Sequence, residues 1–403
     1  MTTLTSYADA RDAFRNRDLR QALYDAGHRL MTGVIVNLHG DAHVARRRLE
    51  NRLFRRDTFG WYERERIPQI IEAVLAAPVA AGRGDLLPLA RRTMMTLSID
   101  VAGVDLPVTD TGELDPAVLA RFHDLMEQLA RASTVAHAVG DTAPIVAAGD
   151  AALATFEVEF LRPAAARRSQ LLERFRIGEL DESELPRDVL TTLLRNQDRL
   201  DIPEAHLLRE IAYFPWVGSH STSGQLVHAM HHMFEWIDQR PGARAELIAD
   251  DRLRQRFVHE SMRLHPASPV ALRRAMTDVE LRTGVVIPAG EQVTISVEQA
   301  NRDPEVFGAE PDRFDPFRRI ADGVPRWGLS FGHGAHACLG KELAGGLDLG
   351  DELDHHLLGT VALMSGAMLR AGARPDPADP VTLDPTTTRV VWGRYPVLFG
   401  SAA

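Results

Sequence analysis

The decapeptide Phe331-Gly332-His333-Gly334-Ala335-His336-Ala337-Cys338-Leu339-Gly340 constrains this chain most, because it holds the chain's one cysteine. A lone thiol forms no internal disulfide, and one thiol with two loop histidines does not complete a zinc site. A single thiolate can act as a nucleophile or hold one metal, and haem iron needs only one protein ligand on its proximal side. Glycines at 332, 334 and 340 let backbone approach a flat ligand that side chains would fend off. The plainer alternative is a small buried cysteine that only packs. A leucine-rich helical pattern follows the loop.

The loop resembles the haem-binding loop of the cytochrome P-450 family, written Phe-Gly-x-Gly-x-His-x-Cys-x-Gly. Phe331, Gly332, Gly334, His336, Cys338 and Gly340 fill every specified position. The resemblance implies a mainly α fold, with a large helical region and a small β-rich one. It also implies a single domain over residues 1–403 and haem b, its iron ligated by the Cys338 thiolate. Further matches run in family order along the chain. His43 and Arg47 share a helical face and match the family's His-x-x-x-Arg pair, which contacts the haem propionates. Taken alone, the arginine-rich run 43–56 is a helix with a solvated basic face. Arg273 matches another propionate ligand, so His43, Arg47, Arg273 and His336 would together grip two carboxylates. Glu260 and Arg263 match the family's Glu-x-x-Arg pair. Arg313, in a Pro-x-Arg-Phe segment, is the candidate second arginine of that buried network.

The remaining features fit this frame. A 45% apolar, 25% charged chain of 403 residues has ample material for a core, and its net charge of −10 argues against a nucleic-acid partner. The first fourteen residues lack the apolar run of a signal peptide, and no apolar stretch is long enough to span a bilayer. With one cysteine, these features predict a soluble cytoplasmic protein with no membrane partner. Periodicity predicts helices over 142–176, 185–194 and 203–237, the last interrupted by Pro215 and Gly218, where proline would bend it. Strand candidates are 268–276, 293–297 and 389–398. His228, His231 and His232 sit at helical spacing with Glu235, but ligands along one straight helix converge poorly on a metal.

Three departures from the family pattern stand out. The distal helix normally carries Ala-Gly-x-acid-Thr, whereas this chain reads Val217-Gly218-Ser219-His220-Ser221-Thr222. Gly218 would leave room above the iron. Histidine can also deliver protons, and Ser221 can hydrogen-bond bound oxygen; His220 could equally contact substrate or face away. Residues 7–15 resemble the family's second helix, so the first helix and first strands are expected to be missing. Gly345 stands where an arginine often occurs and is expected to change surface charge on the proximal side.

By resemblance, Trp216, Val217, Gly218, Val270 and Ala271, with residues 19–38, would wall a substrate pocket for a molecule that is not highly charged. The implied activity is oxidation of a small organic molecule by a monooxygenase of the soluble bacterial type, in specialised metabolism. Electrons would come from a ferredoxin with its reductase or from a flavin partner docked on the basic helix. His220, Ser221 and Thr222 would be the catalytic residues. The altered distal motif keeps open a haem-thiolate reaction other than monooxygenation: oxidative coupling, peroxide-driven oxidation, dehydration or nitrogen-oxide chemistry. A non-catalytic helper protein is a third reading, and the retained Cys338 loop argues against it.

Overall fold

A 36-residue helix, Glu204–Gln239, runs through the middle of the molecule and organises the computed structural model, which describes residues 2–108, 114–348 and 356–400. Pro203 fixes the chain direction at its N-terminal end, and Arg240-Pro241-Gly242 stops it. This central helix continues through Pro215 as one element. The proline gives up one backbone donor, and the side chains just after it claim further carbonyls. Ser219 Oγ donates to Trp216 O (3.2 Å), Ser221 Oγ to Val217 O (2.7 Å) and Ser223 Oγ to Ser219 O. Such back-bonding weakens the local helix ladder on the cavity side.

Helices Leu86–Ala102, Pro116–Ser133 and Asp251–Leu264 pack around the central helix. Two large apolar clusters result. One is built from Leu226, Met230 and Met233 with Phe257, Val361 and Met368; the other joins Phe122, Phe156 and Phe160 to Ile211 and Phe214. The predicted run 142–176 is a helix over Ala143–Phe156 and Arg162–Arg176, joined by a π turn at Glu157–Leu161. The helix predicted over 185–194 begins later, at Val189, capped by Asp188.

A third, smaller cluster lies under a mixed four-stranded sheet. Thr2–Leu4 pairs parallel with Gln292–Ser296, which pairs antiparallel with Val270–Ala275, and Leu19–Gln21 closes the other edge. The lead before helix Tyr7–Arg15 therefore does contain a strand, contrary to expectation: Leu4 is buried while Thr3 faces out, the alternation of a half-buried strand. Strand candidate 389–398 resolves into Trp392–Arg394 and Pro396–Leu398, in two different small sheets.

Three expectations are corrected here. The basic helix is Gly40–Glu50 and does not reach Arg56; Arg46 on it is buried against Glu210 at 2.8 Å, so the run is only partly a solvated face. The partner of the Glu260–Arg263 pair is Arg318, not Arg313. Arg318 Nε donates to Glu260 Oε1 (3.1 Å), and its remaining nitrogens take the carbonyls of Phe307, Glu310 and Arg313. Arg313 contributes its backbone carbonyl and points its exposed side chain at Glu310. Gly345 is buried, not a surface position. Its carbonyl accepts from His259 Nε2 at 2.6 Å and Gln255 Nε2 at 3.2 Å, and the helix after Cys338 stops there after five residues. Gly346 (φ 77°) follows that helix and Gly359 (φ 83°) precedes the helix Thr360–Arg370, with Glu63 accepting from Leu358 N and Gly359 N. A Cβ on Gly346 would come within 2.2 Å of Leu357 O, so this position requires glycine.

Candidate functional site

Cys338 opens onto a cavity of about 870 Å³ bounded below by its own loop and above by the central helix. The loop is folded by backbone. Cys338 N donates to Phe331 O (2.9 Å), Gly332 and Gly334 adopt φ of 65° and 71°, and a Cβ on Gly334 would lie 2.7 Å from Phe14 O. Phe331 packs edge-on to Trp327, and Gly332, His336 and Gly340 line the cavity around the thiol. Burial pushes the Cys338 thiol up, while the Gly340 N–H, Arg47 and Lys341 pull it down. A positive metal ion bound there would add the strongest pull toward thiolate.

The four residues matched to propionate ligands converge beside that loop. His43 and His336 stack with ring centroids 3.9 Å apart. Arg47 Nη2 donates to Ala337 O at 2.5 Å; Arg273 donates to the Gln21 side chain and lies over the Phe14 ring at 5.2 Å. Burial, then the charge of Arg47, holds His43 down at about 4. Burial, then His43, Arg273 and Arg47, holds His336 at about 3. Burial also lowers Arg273 to about 10. Buried cations and donors that push one another toward neutrality form a receptor for anions, and His43 Nε2 is buried with no partner. This set fits a flat macrocycle carrying two carboxylates, whose metal Cys338 would ligate.

The opposite wall differs from the family pattern. His220 Nε2 lies 2.8 Å from Glu127 Oε2, on the helix Pro116–Ser133 above the cavity, and Arg91 reaches the same oxygen at 3.0 Å. His220 Nδ1 lies 2.9 Å from Trp216 O and 3.1 Å from Ser219 Oγ. An ionised carboxylate only accepts, so Nε2 carries a hydrogen. Nδ1 can then accept from the Ser219 hydroxyl in the neutral ring, if that hydrogen turns away from Trp216 O, or donate to Trp216 O in the cation. Both protonation states therefore have complete partners. Burial pushes Glu127 up, but the His220 hydrogen bond and the charges of His220, Arg91 and Arg131 bring it down to about 2.

Ser221 and Thr222 line the cavity, although the Ser221 hydroxyl hydrogen is already given to Val217 O. Trp216, Val217, Gly218 and Ala271 line it; Val270 does not, because successive strand residues face opposite sides. Gly218 serves packing as well as space: a Cβ there would sit 2.5 Å from Ser98 Oγ on the neighbouring helix.

The histidines at 228, 231 and 232 pack as rings. His228 stacks on His265 at 4.3 Å, His232 on Phe314 at 4.2 Å, and His231 meets the Tyr395 hydroxyl at 3.0 Å. Among the described residues no cluster has metal-holding geometry.

Sequence reasoning missed Glu127, Arg91 and the stretch Thr382–Arg394 that closes the far wall, including Arg389. Glu127 and Arg91 lie on ordinary amphipathic helices, and 389–398 was marked only as strand. Besides the four groups matched to propionate ligands, Arg91, Arg131 and Arg389 line the chamber.

The sequence profile of the Cytochrome P450 family matches residues 178–345. Cytochrome P450 BJ-3 of Bradyrhizobium diazoefficiens is 33% identical over 232 residues, covering 55% of this chain and 49% of that protein. Cyclooctat-9-en-7-ol 5-monooxygenase of Streptomyces melanosporofaciens is 30% identical over 177 residues, covering 39% and 38%. The matches thus span about half the length of these curated relatives or less. The crystal structure of CalO2 superposes with a TM-score of 0.72 at 20% identity, covering 99% of this chain and 90% of that one. No helix among the described residues is long and apolar enough to cross a membrane.

Proposed function

The chain belongs to the cytochrome P450 family, and from that premise we propose that it is a haem-thiolate monooxygenase of one domain acting on a small organic molecule. The observation that carries the reading is Cys338 opening into a chamber beside the anion receptor of His43, Arg47, Arg273 and His336. When bound there, haem supplies oxygen activation, with the thiolate favouring cleavage of the O–O bond. The protein's own contributions are separable. His43, Arg47, Arg273 and His336 hold the two carboxylates; Gly340 N–H and Arg47 stabilise the thiolate. His220, its Nε2 held by Glu127, carries a second proton at Nδ1 and delivers it to the chamber when Nδ1 leaves Trp216 O. Apolar side chains such as Met94, Leu97, Val101 and Phe214 exclude water and orient substrate.

Electrons come from a separate ferredoxin or flavin partner. Its docking face is Arg48, Arg52, Arg55 and Arg56, which are exposed, whereas Arg46 and Arg47 point inward. Reduction rate falls steeply with added salt if this face steers an acidic partner.

The test is a carbon monoxide difference spectrum of the reduced, haem-loaded protein. A thiolate-type band supports the reading, and an imidazole-type band overturns it. The replacement of the family's acid–alcohol pair by the His220–Glu127 pair favours one second reading, a haem-thiolate reaction other than monooxygenation. Turnover that needs reductant and oxygen supports the first; turnover with peroxide, or with neither, supports the second.

A further inference from the structure

Arg389 is a guanidinium without an anion. It lies in the segment Thr382–Arg394, where the Ala138–Thr387 bridge and the Thr388 N–His137 O bond (2.8 Å) hold the chain against the end of the helix above the cavity. Its Nε is buried and has no hydrogen-bond partner, and no ion pair to it exists among the described residues. Every acid lining the chamber is otherwise engaged. Glu127 is held by His220 and Arg91, Asp384 by the Thr386 amide (2.8 Å) and hydroxyl (2.7 Å), and Glu298 by Arg302 at 3.5 Å.

Burial lowers Arg389, and only the fields of Tyr24 and Asp384 oppose it. A guanidinium still stays charged, and leaving it buried without an anion is costly. The groups around it are donors. The Tyr24 hydroxyl is held protonated, its value pushed up to about 12 by burial. His137 is held neutral, at about 4, by burial and then by Arg389 itself. The rest of the chamber is largely apolar.

We propose that Arg389 anchors a carboxylate on an otherwise apolar substrate, with the Tyr24 hydroxyl as a second donor. The inference rests on the chamber being the substrate site of the reading above. One planar fork matches the two oxygens of a carboxylate, and a single cation suits a single charge better than a doubly charged phosphate. The four groups beside the Cys338 loop already supply the receptor for the cofactor's carboxylates. None of those four groups is among the electrostatic neighbours of Arg389, which are Tyr24, His137 and Asp384; Tyr24 lies between the two sets, since it also feels Arg273 and Cys338. The anion for Arg389 therefore arrives with the substrate, and the arginine's place on the far wall directs the apolar body toward the thiolate side.

The test uses the haem-loaded protein and straight-chain carboxylates from hexanoate to palmitate, each beside its primary amide. Binding is followed by calorimetry and by the haem spectrum. Carboxylates should bind more tightly than their amides by about tenfold or more, the worth of one charge-assisted buried hydrogen-bond pair. Arg389→Gln should erase that preference while moving amide affinity little, and Arg389→Lys should keep part of it. Equal binding of acid and amide, a preference that survives Arg389→Gln, or no binding of any carboxylate by calorimetry overturns the proposal. So does loss of haem from Arg389→Gln with the preference intact, which would assign the residue to the cofactor. Calorimetry reads the anchor independently, so a failure of the haem-thiolate reading, seen in the carbon monoxide spectrum, is distinguishable from a failure of this one.

Discussion

The two faces of the chamber solve different problems. On the Cys338 side, function is backbone geometry: glycines at positive φ, one thiol, and four cationic or donor groups placed by a helix, a strand and the loop itself. On the central-helix side, function is side-chain pairing between helices far apart in sequence: His220 with Glu127, and Glu127 with Arg91. The first arrangement binds something of fixed shape and charge and tolerates little variation. The second can exchange residue types as long as the pairing closes, and here the pair has become imidazole and carboxylate.

The sharpest way to break the contrast is on the Cys338 side. Cys338→Ala should reduce turnover to background and remove the thiolate-type carbon monoxide band, leaving the fold intact because the loop is held by backbone bonds such as Cys338 N to Phe331 O. Next in size is Glu260→Ala, which strands Arg263 and Arg318 in the interior. Breaking a buried ion network in this way costs about 3–5 kcal/mol, read as a large drop in thermal midpoint. Arg313→Ala is the control. Its exposed pair with Glu310 is worth about 0–1 kcal/mol, so the midpoint should hardly move. The opposite ranking would return the network to the arginine favoured by the sequence pattern.

That pair of variants shows what was legible in the residues and what was not. The Cys338 loop could be read because each position is dictated locally: a positive φ needs glycine, and a metal needs its thiol. The Glu260–Arg263 pair was readable because both ride one helix at i, i+3. Its third member was not, since which arginine of a loop turns inward depends on the turn through Asp315, whose amide also binds Glu260 Oε1 at 3.1 Å. The early end of the helix after Cys338 was missed for a related reason. Leucines continue beyond Gly345, and only the glycine at 346, with its positive φ, marks where that helix ends. His220 was visible as an exception, but its partner Glu127 lies 93 residues away on a helix whose pattern marks only a core face.

On that second side the expected effects are smaller. His220→Phe should slow turnover about a hundredfold, the lower end of what a positioned proton donor supplies, and raise the share of electrons lost to peroxide. Unchanged product formation would remove the relay. The same variant has a pH signature. Glu127 sits at about 2, below its ordinary 4.5, so the stability it contributes is present above the ordinary carboxylate range and is lost as pH falls through about 2. Without His220, burial dominates and the value rises. Acid unfolding of His220→Phe should therefore begin at a higher pH than in the parent protein, as followed by circular dichroism.

Ser221→Ala should have the least effect, and it tests whether the distal motif still works as an acid–alcohol pair. If Ser221 held bound oxygen through its hydrogen, that hydrogen would have to leave Val217 O, where it sits at 2.7 Å. Breaking one helix back-bond to make one new bond yields little net gain, about 1 kcal/mol or less. The alanine variant therefore should lose no more than about fivefold in turnover, with coupling to product nearly unchanged. Pairing it with His220→Phe sharpens the result. If the two losses add, the histidine and serine act separately and the relay belongs to His220 and Glu127. If Ser221→Ala costs as much as His220→Phe and nothing more in the double variant, the two form one proton path. The serine then inherits the family alcohol's role despite the bond it must first give up.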